Sequence, residues 1–211
     1  MAEQLKVHKG KNIFLGLSAG ADSWFLLFLL KNLDIPFTPL SLNFEKRVYC
    51  EWDKIQHYSK HSNTSIKSTY VSKNQMVMAF YAFTNALKIP IYNLHPVSKW
   101  ILAERAQIMG ADLVITGDGA DQWFEAVEQC DLFPITQAAF NFHNVPLVTP
   151  FATKQLWQYP QGKQIVREYV ISHLGEFDSS KTVVLYPDDD FYPLTCLQKS
   201  HLVLHEMATS P

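Results

Sequence analysis

Cysteine is scarce in this chain of 211 residues, where three copies lie far apart at Cys50, Cys130 and Cys196. The number is odd and no two cysteines have the close spacing of a zinc site, so we expect neither a disulfide framework nor a zinc centre. Scattered thiols suit a reducing compartment, which predicts a cytoplasmic protein.

The sequence also lacks long apolar runs and an excess of either charge. Trp24–Leu30 is apolar throughout but too short to cross a bilayer, and the polar residues 1–11 do not resemble a secretory signal. The formal net charge is -2, whereas proteins dedicated to DNA or tRNA carry a strong basic excess. We therefore expect a soluble globular protein without a membrane partner, acting on a small molecule rather than on nucleic acid.

Short apolar strands alternate with helical segments along much of the chain. Predicted strands cover residues 12–17, 37–44, 68–72 and 113–116, and predicted helices cover residues 22–32, 51–61, 75–87, 97–109 and 163–174. This alternation predicts an α/β fold, a parallel twisted sheet with helices on both faces. Prolines interrupt the pattern after residue 125. We therefore predict a core over residues 10–127 and a helical and loop-rich C-terminal region over residues 128–211 that completes the substrate site, as the same domain or a small appendage.

The turn after the first predicted strand matches two motifs. Residues 16–20 read G-L-S-A-G, which fits the G-x-S-x-G nucleophile elbow of α/β-hydrolases. Ser18 would then attack a carbonyl, with Asp118 and either His143 or His173 completing a triad. The position disfavours this interpretation, because the elbow follows the first strand with only a short segment before it to build an oxyanion hole. The elbow interpretation also gives no role to Asp22 and Ser23, which follow it.

The same turn has the composition of a phosphate-binding loop. In Ser18–Ser23, small residues let backbone N–H groups approach phosphate oxygens, and two serine hydroxyls add donors. The helix that follows presents its positive N-terminal end to anions. Asp22 and a phosphate are both anionic, so a bridging Mg²⁺ is expected between them. The Walker G-K-S/T pattern is absent here, and an ordinary strand-to-helix turn is the alternative.

Two loops carry a resemblance to a known family. S-A-G-A-D-S at residues 18–23 resembles the S-G-G-x-D-S pyrophosphate loop of N-type ATP pyrophosphatases, and L-V-I-T-G-D-G-A-D-Q-W-F at residues 113–124 resembles the strand and S-G-E-G-A-D-E-L-F of asparagine synthetase. V-T-P-F at residues 148–151 and the stretch from Gly162-Lys163 to Glu168 resemble that family's R-x-P-F and G-K-x-x-x-x-x-L-R-E. Over residues 12–185 the chain thus resembles the synthetase domain of asparagine synthetase and β-lactam synthetase, without the glutaminase domain.

The resemblance implies an adenine nucleotide α-hydrolase-like fold, with ATP and Mg²⁺ as cofactors. Asp22 and Asp121 match the two carboxylates that hold Mg²⁺ against pyrophosphate, and helix capping is the alternative role for Asp118 and Asp121. Asp118 matches a glutamate near the acyl-adenylate, where we expect a general base. Lys181 matches a lysine that neutralises pyrophosphate. The nucleotide-binding residues implied in this way are Leu17, Ser18, Gly20, Asp22, Ser23, Leu42 and Gly117.

Two departures from the family pattern bear on these expectations. Ala19 replaces the first glycine of the loop, which is tolerable only if the backbone there keeps a negative φ. Position 2 is Ala instead of the catalytic cysteine of the glutaminase domain. Nitrogen would therefore come from free ammonia, an amine on the substrate or a separate donor protein.

The expected reaction is ATP-dependent adenylation of a carbonyl oxygen on a small molecule, with release of pyrophosphate. A nitrogen nucleophile then displaces AMP and forms an amide. In the alternative, sulfur replaces the oxygen on a small molecule or nucleobase, with a separate sulfur donor or with Cys130 as the best-placed carrier and Cys50 next. An inactive ATP-binding sensor on the same fold is a further alternative.

Overall fold

A computed structural model describes residues 1–45, 50–89, 94–121, 133–152 and 161–178 of the chain. Its helices are α1 (Ala2–Lys6), α2 (Ala21–Asn32), α3 (Trp52–His61), α4 (Lys73–Leu87), α5 (His95–Ile108), α6 (Phe133–Phe142) and α7 (Gly162–Leu174). Its strands are β1 (Ile13–Gly16), β2 (Thr38–Phe44), β3 (Lys67–Val71), β4 (Leu113–Ile115) and β5 (Leu147–Val148). Within these ranges, no helix is long and apolar enough to span a membrane.

The five strands form one sheet in the order β3-β2-β1-β4-β5, and all four pairings are parallel. The chain builds outward from β1 in one direction through β2 and β3, and then in the other through β4 and β5. A crevice therefore opens between the carboxyl ends of β1 and β4, where ligands bind in open α/β sheets. Both loops that carry the predicted motifs leave the sheet at this crevice.

Helices cover both faces of the sheet, as the alternating pattern predicted. Ile13 and Leu15 of β1 belong to a buried cluster with residues of α2, α3 and α7. Phe14, between them in the chain, points to the opposite face and packs with residues of α5 and α6. Helix α2 is apolar nearly all round because most of its residues are buried, with Trp24 and Leu30 at 0% exposure. The predicted fold class is confirmed.

In the C-terminal part, β5 and α6 were not predicted from the sequence, whereas α7 matches the helix predicted over residues 163–174. β5 has only two residues, too few to show a periodic pattern in the sequence. It is nevertheless held to the sheet by backbone hydrogen bonds: the Val114 N–H donates to Pro146 O, and the Thr116 N–H donates to Val148 O. Helix α6 packs on α5 and α7 packs on α2, so both extend the helical layers. The predicted boundary between residues 127 and 128 lies outside the described residues and stays a prediction.

Candidate active site

The loop between β1 and α2 is held closed by the hydroxyl of Ser23. Its Oγ lies 3.0 Å from the carbonyl oxygens of Ser18 and Gly20, and it accepts a hydrogen bond from the Ser18 N–H at 3.2 Å. Ser23 is 4% exposed, whereas Ser18 and Gly20 are exposed. Ser23 therefore shapes the loop from inside. Ser18 and the N-terminus of α2, where Gly20 is the N-cap residue, form its outward surface.

A carboxylate from α3 lies against this loop. The Ala19 N–H donates to Glu51 Oε2 at 2.8 Å, and Glu51 is the N-cap residue of α3. Ala19 keeps a negative φ, so alanine replaces glycine here without the strain of a left-handed backbone. The loop N–H thus already binds an oxyanion in this structure. No motif indicated Glu51, because its contact with the loop depends on how α3 packs.

The second loop, after β4, lies directly on the first. A Cβ atom on Gly117 would come within 3.0 Å of Asp22 Cβ and 3.1 Å of the Ser23 backbone nitrogen. Such contacts are tighter than ordinary van der Waals distances, so a side chain at residue 117 would push the loops apart by a few tenths of an ångström, and glycine lets them meet closely. Gly119 has a φ of 99°, which glycine adopts without strain. This close approach brings Asp121 towards Asp22.

Lys163 joins the two predicted metal ligands. Its Nζ lies 2.5 Å from Asp22 Oδ2 and 2.5 Å from Asp121 Oδ1. Burial alone would lower the pKa of Lys163, which is 8% exposed, but the two carboxylates outweigh burial and raise that pKa. Lys163 is therefore protonated at neutral pH. One cation between two carboxylates marks a position suited to Mg²⁺, whose preferred protein ligands are carboxylate oxygens.

Asp118 lies in a second ion pair of the same loop. Lys99 Nζ donates to both carboxylate oxygens, at 2.7 and 2.9 Å, and the Thr116 hydroxyl donates at 2.7 Å. Burial alone would raise the pKa of Asp118, but Lys99 and Thr116 outweigh it and hold that pKa below its usual value. Asp118 is therefore a carboxylate at neutral pH. Lys99 was not predicted, because a lysine in the first turns of a helix has no distinctive signal.

His95, the first residue of α5, is affected by the charges of Lys99, Asp118 and Glu51. Burial lowers its pKa, and the Lys99 ammonium lowers it further, while Asp118 and Glu51 act in the opposite direction. The imidazole is consequently neutral at neutral pH and adds no positive charge. It is electrostatically coupled both to the Lys99–Asp118 pair and to the loop-binding Glu51.

The sequence profile of the asparagine synthase family matches residues 6–179. This chain belongs to that family. The matched range includes both loops and Lys163, and it makes the chain a synthetase-type member of the N-type ATP pyrophosphatase superfamily. Membership supports ATP-dependent activity of the pyrophosphate-loop kind. No curated protein matches the chain.

Solved structures with similar folds include two archaeal proteins. One is a predicted subunit of a tRNA methyltransferase from Methanocaldococcus jannaschii, at 16% identity and a TM-score of 0.46, covering 90% of this chain and 89% of the other. The second is the U34-tRNA thiolase NcsA from Methanococcus maripaludis with its 4Fe-4S cluster, at 14% identity and a TM-score of 0.48. That match covers 96% of this chain and 68% of the other. Values this low carry no inference about activity.

In this asparagine synthase family member, the residues expected around adenine and ribose lie at the carboxyl ends of β1 and β2. Leu17 is buried, and its N–H donates to Leu40 O at 2.9 Å. Leu42 is half-buried against the helices of the opposite face. Their contact with a nucleotide stays a prediction. Lys181, Cys130 and Cys196 lie outside the described residues.

The described residues do not assemble the alternative serine triad. The His143 ring lies at the end of α6, 4.4 Å from Trp100 by ring centroids. The His173 ring stacks on Phe28 at 4.5 Å on the other face of the sheet. Across the described ranges, neither imidazole is hydrogen-bonded to the Ser18 hydroxyl, whose partners are within its own loop.

Proposed function

We propose that this protein adenylates a carbonyl oxygen of a small molecule with ATP, releases pyrophosphate, and passes the activated acyl group to a nitrogen nucleophile. The observation that carries the proposal is the meeting of Asp22 and Asp121 around one cation at the switch point of the sheet. These carboxylates come from the two loops that the family uses to bind Mg-ATP. An ion pair that only stabilised the fold could form anywhere in the protein. It would not need carboxylates from both loops at the edge of the sheet where ligands bind.

The first loop supplies the phosphate contacts. Ser18 and Gly20, the N-cap residue of α2, are exposed at this edge, where a phosphate would meet the N-terminal end of the helix. The Ala19 N–H is a further donor, but it is occupied by Glu51. A phosphate oxygen and the Glu51 carboxylate would compete for the same hydrogen, so ATP binding requires Glu51 to turn away.

Asp22 and Asp121 would hold Mg²⁺, which on binding neutralises the charge that develops on the leaving pyrophosphate. Lys163 occupies the position between them, and two cations do not share it. We therefore expect its ammonium to move towards the β- and γ-phosphates when the metal is present. The phosphates would replace the carboxylates as the anionic partners that keep Lys163 charged. Lys163 would then share the neutralising role that the resemblance implies for Lys181.

Asp118 would act on the incoming nucleophile. While paired with Lys99 it is a weak base, because the ammonium stabilises the carboxylate. An anionic group on the acyl-adenylate would draw Lys99 away and raise the basicity of Asp118. Proton removal by Asp118 is thereby linked to arrival of the activated intermediate, which limits wasteful reaction before adenylation.

Sulfur transfer is the second candidate function, and Cys50 is the observation that favours it. Its thiol is half-buried, donates to Asn43 Oδ1 at 3.2 Å, and directly precedes the loop-binding Glu51. A carrier cysteine would have to lie near the activated carbon. Cys130, preferred from the sequence, lies outside the described residues and stays a candidate carrier.

The decisive measurement is the nucleotide product formed from ATP and Mg²⁺ with a panel of carboxylates and nucleobases, each with ammonia or sulfide. We expect AMP and pyrophosphate from wild type and none from Asp22→Asn. Asp34→Asn, on an exposed turn, is the matched control and should retain activity. ADP and phosphate as products would exclude the proposal. A serine hydrolase would instead label covalently with a fluorophosphonate at Ser18 and tolerate Asp22→Asn.

A further inference from the structure

A second cluster of potential ligands lies on α3, away from the loops of the active site. His57 and His61 are one turn apart on this helix, so their side chains project from the same side. Glu176 follows α7 directly after Gly175, whose φ of 79° turns the chain. One ligand atom from each of these three residues lies within 4.8 Å of the others, and all three residues are exposed. We propose that they bind a divalent transition-metal ion of the Zn²⁺ type, linking α3 to the end of α7.

One ring nitrogen of His61 has a backbone partner, which leaves the other to bind a metal ion. Its Nδ1 lies 2.9 Å from the His57 backbone oxygen. A carbonyl oxygen only accepts, so Nδ1 carries the proton and Nε2 of the neutral ring keeps its lone pair. Metal-binding histidines are commonly held in this way, with the second ring nitrogen donating to a backbone carbonyl. The hydrogen bond therefore presets both the tautomer and the ring direction.

The other two ligands have the spacing of neighbouring ligands on one ion. His57 Nε2 lies 3.1 Å from Glu176 Oε1. In a tetrahedral Zn²⁺ site with bonds of about 2.0–2.1 Å, neighbouring ligand atoms are separated by about 3.4 Å. In the metal-free protein a proton bridges this pair. Binding of the ion would replace that proton, and the histidine and carboxylate need to move little.

Packing beneath the cluster holds α3 and Glu176 in place without metal. The Tyr58 ring stacks on Phe177 with centroids 5.0 Å apart, and the Tyr58 hydroxyl accepts a hydrogen bond from the Asp178 N–H at 3.0 Å. The contacts involve the two residues that follow Glu176 in the chain, and Tyr58 is the residue next to His57 on the helix. The backbone that carries the ligands is therefore ordered before the metal binds. Less conformational entropy is then lost on binding, which favours affinity for the metal ion.

The charge of the surrounding groove favours a cation. The groove has a volume of about 550 Å³, and its lining includes the carboxylates of Asp53, Glu176 and Asp178. Among the residues that the structure describes, Lys54 is the one lysine of the lining, and it pairs with Asp178 at 2.6 Å. Two imidazoles in the ligand set select zinc-like ions over Mg²⁺ or Ca²⁺, which prefer oxygen ligands. Exposure of the three side chains leaves the fourth coordination position to water.

The test is a titration of the whole chain with Zn²⁺ by calorimetry, together with thermal unfolding in the presence and absence of Zn²⁺. We expect one site, and a rise in Tm when Zn²⁺ is added to wild type. His61→Ala and Glu176→Gln should each weaken Zn²⁺ binding by about tenfold or more and reduce the Tm shift. Gln56→Ala on α3 and Glu168→Gln on α7, both exposed, are the matched controls and should bind as wild type does.

Either of two results would overturn the proposal. One is the absence of Zn²⁺ binding to wild type at micromolar concentrations. The other is stoichiometric binding that His61→Ala and Glu176→Gln leave unchanged, which would place the ion elsewhere. Because all three ligands are exposed, these variants are expected to fold, and their Tm without metal checks this directly.

Discussion

Lys163 Nζ and Asp22 Oδ2 lie 2.5 Å apart although 141 residues separate them in the chain. The contact joins the N-terminus of α7 to the first turn of α2. Through this contact α7, which lies far along the sequence, becomes part of the same site as the loop between β1 and α2. The same ammonium reaches Asp121, so one lysine neutralises two carboxylates that would otherwise repel each other.

Replacing Lys163 by methionine should lower the stability of the fold and strengthen the binding of Mg²⁺ at the same time. Without the ammonium, Asp22 and Asp121 are partly buried and repel, so we expect the free energy of unfolding to fall by about 3 kcal/mol. Mg²⁺ would then take the vacated position. Addition of Mg²⁺ alone should therefore raise the Tm of Lys163→Met more than that of wild type.

Lys60→Met, on the exposed side of α3, is the control for loss of a positive charge. It should show the Mg²⁺ response of wild type. Equal Mg²⁺ responses in Lys163→Met and wild type would contradict the assignment of Asp22 and Asp121 as the metal ligands.

Glu51→Gln should increase ATP affinity. The carboxylate of Glu51 accepts the Ala19 N–H that a phosphate would use, and its charge repels the incoming phosphates. A glutamine oxygen still accepts this hydrogen bond, so the loop keeps its shape while the repulsion is removed. We expect Kd for Mg-ATP to fall about three- to tenfold in equilibrium binding, with Asp53→Asn in the first turn of α3 as control. An unchanged or higher Kd would show that Glu51 does not compete with phosphate.

The parts of the site that could be predicted are those whose residues lie close together in the sequence, within a single loop. Ser18–Ser23 and the stretch around Asp121 each combine a strand end, small residues and a carboxylate within a few positions. The parallel sheet then brings the two loops together, because β1 and β4 are neighbours. The strand pattern predicted a parallel sheet but not this strand order, and it was the family resemblance that placed Asp22 and Asp121 at one site.

The missed residues act through tertiary contacts. Glu51 and Lys99 lie at the starts of α3 and α5, where charged residues are common without any role in a site. Their importance arises only when the helices pack and bring them against Ala19 and Asp118. Ser23 was assigned to the phosphates, yet its hydroxyl faces the loop interior, because three local backbone groups compete for it.

Because of the Lys99–Asp118 pair, the free energy of unfolding should depend on pH in the acidic range. The pKa of Asp118 is lower in the folded protein than its usual value near 4. Its contribution to stability is therefore complete above that usual value and is lost as pH falls through the lower, folded pKa. Urea unfolding should show wild type more stable than Asp118→Asn at pH 7, with the difference shrinking below about pH 4. A difference that stays constant between pH 7 and pH 3 would mean that the Asp118 charge does not stabilise the fold.

Asp118 and Asp121 should differ sharply in what they do for catalysis. Asp121 shares its cation with Asp22, so Asp121→Asn should weaken Mg-ATP binding and block pyrophosphate release. Asp118 pairs with Lys99 instead, and Asp118→Asn should leave Mg-ATP affinity within about threefold of wild type. Loss of a general base typically slows a reaction by about a hundredfold to ten-thousandfold, so we expect product formation by Asp118→Asn to fall in that range.

The two half-reactions distinguish these roles. Pyrophosphate release in the first turnover reports adenylation, and transfer of the acyl group to ammonia reports the second step. Asp118→Asn should release the first equivalent of pyrophosphate at close to the wild-type rate and then accumulate the acyl-adenylate. If Asp118→Asn instead loses ATP binding as completely as Asp121→Asn does, Asp118 is a ligand of the Mg-ATP complex, and the proton from the nucleophile must go to another group.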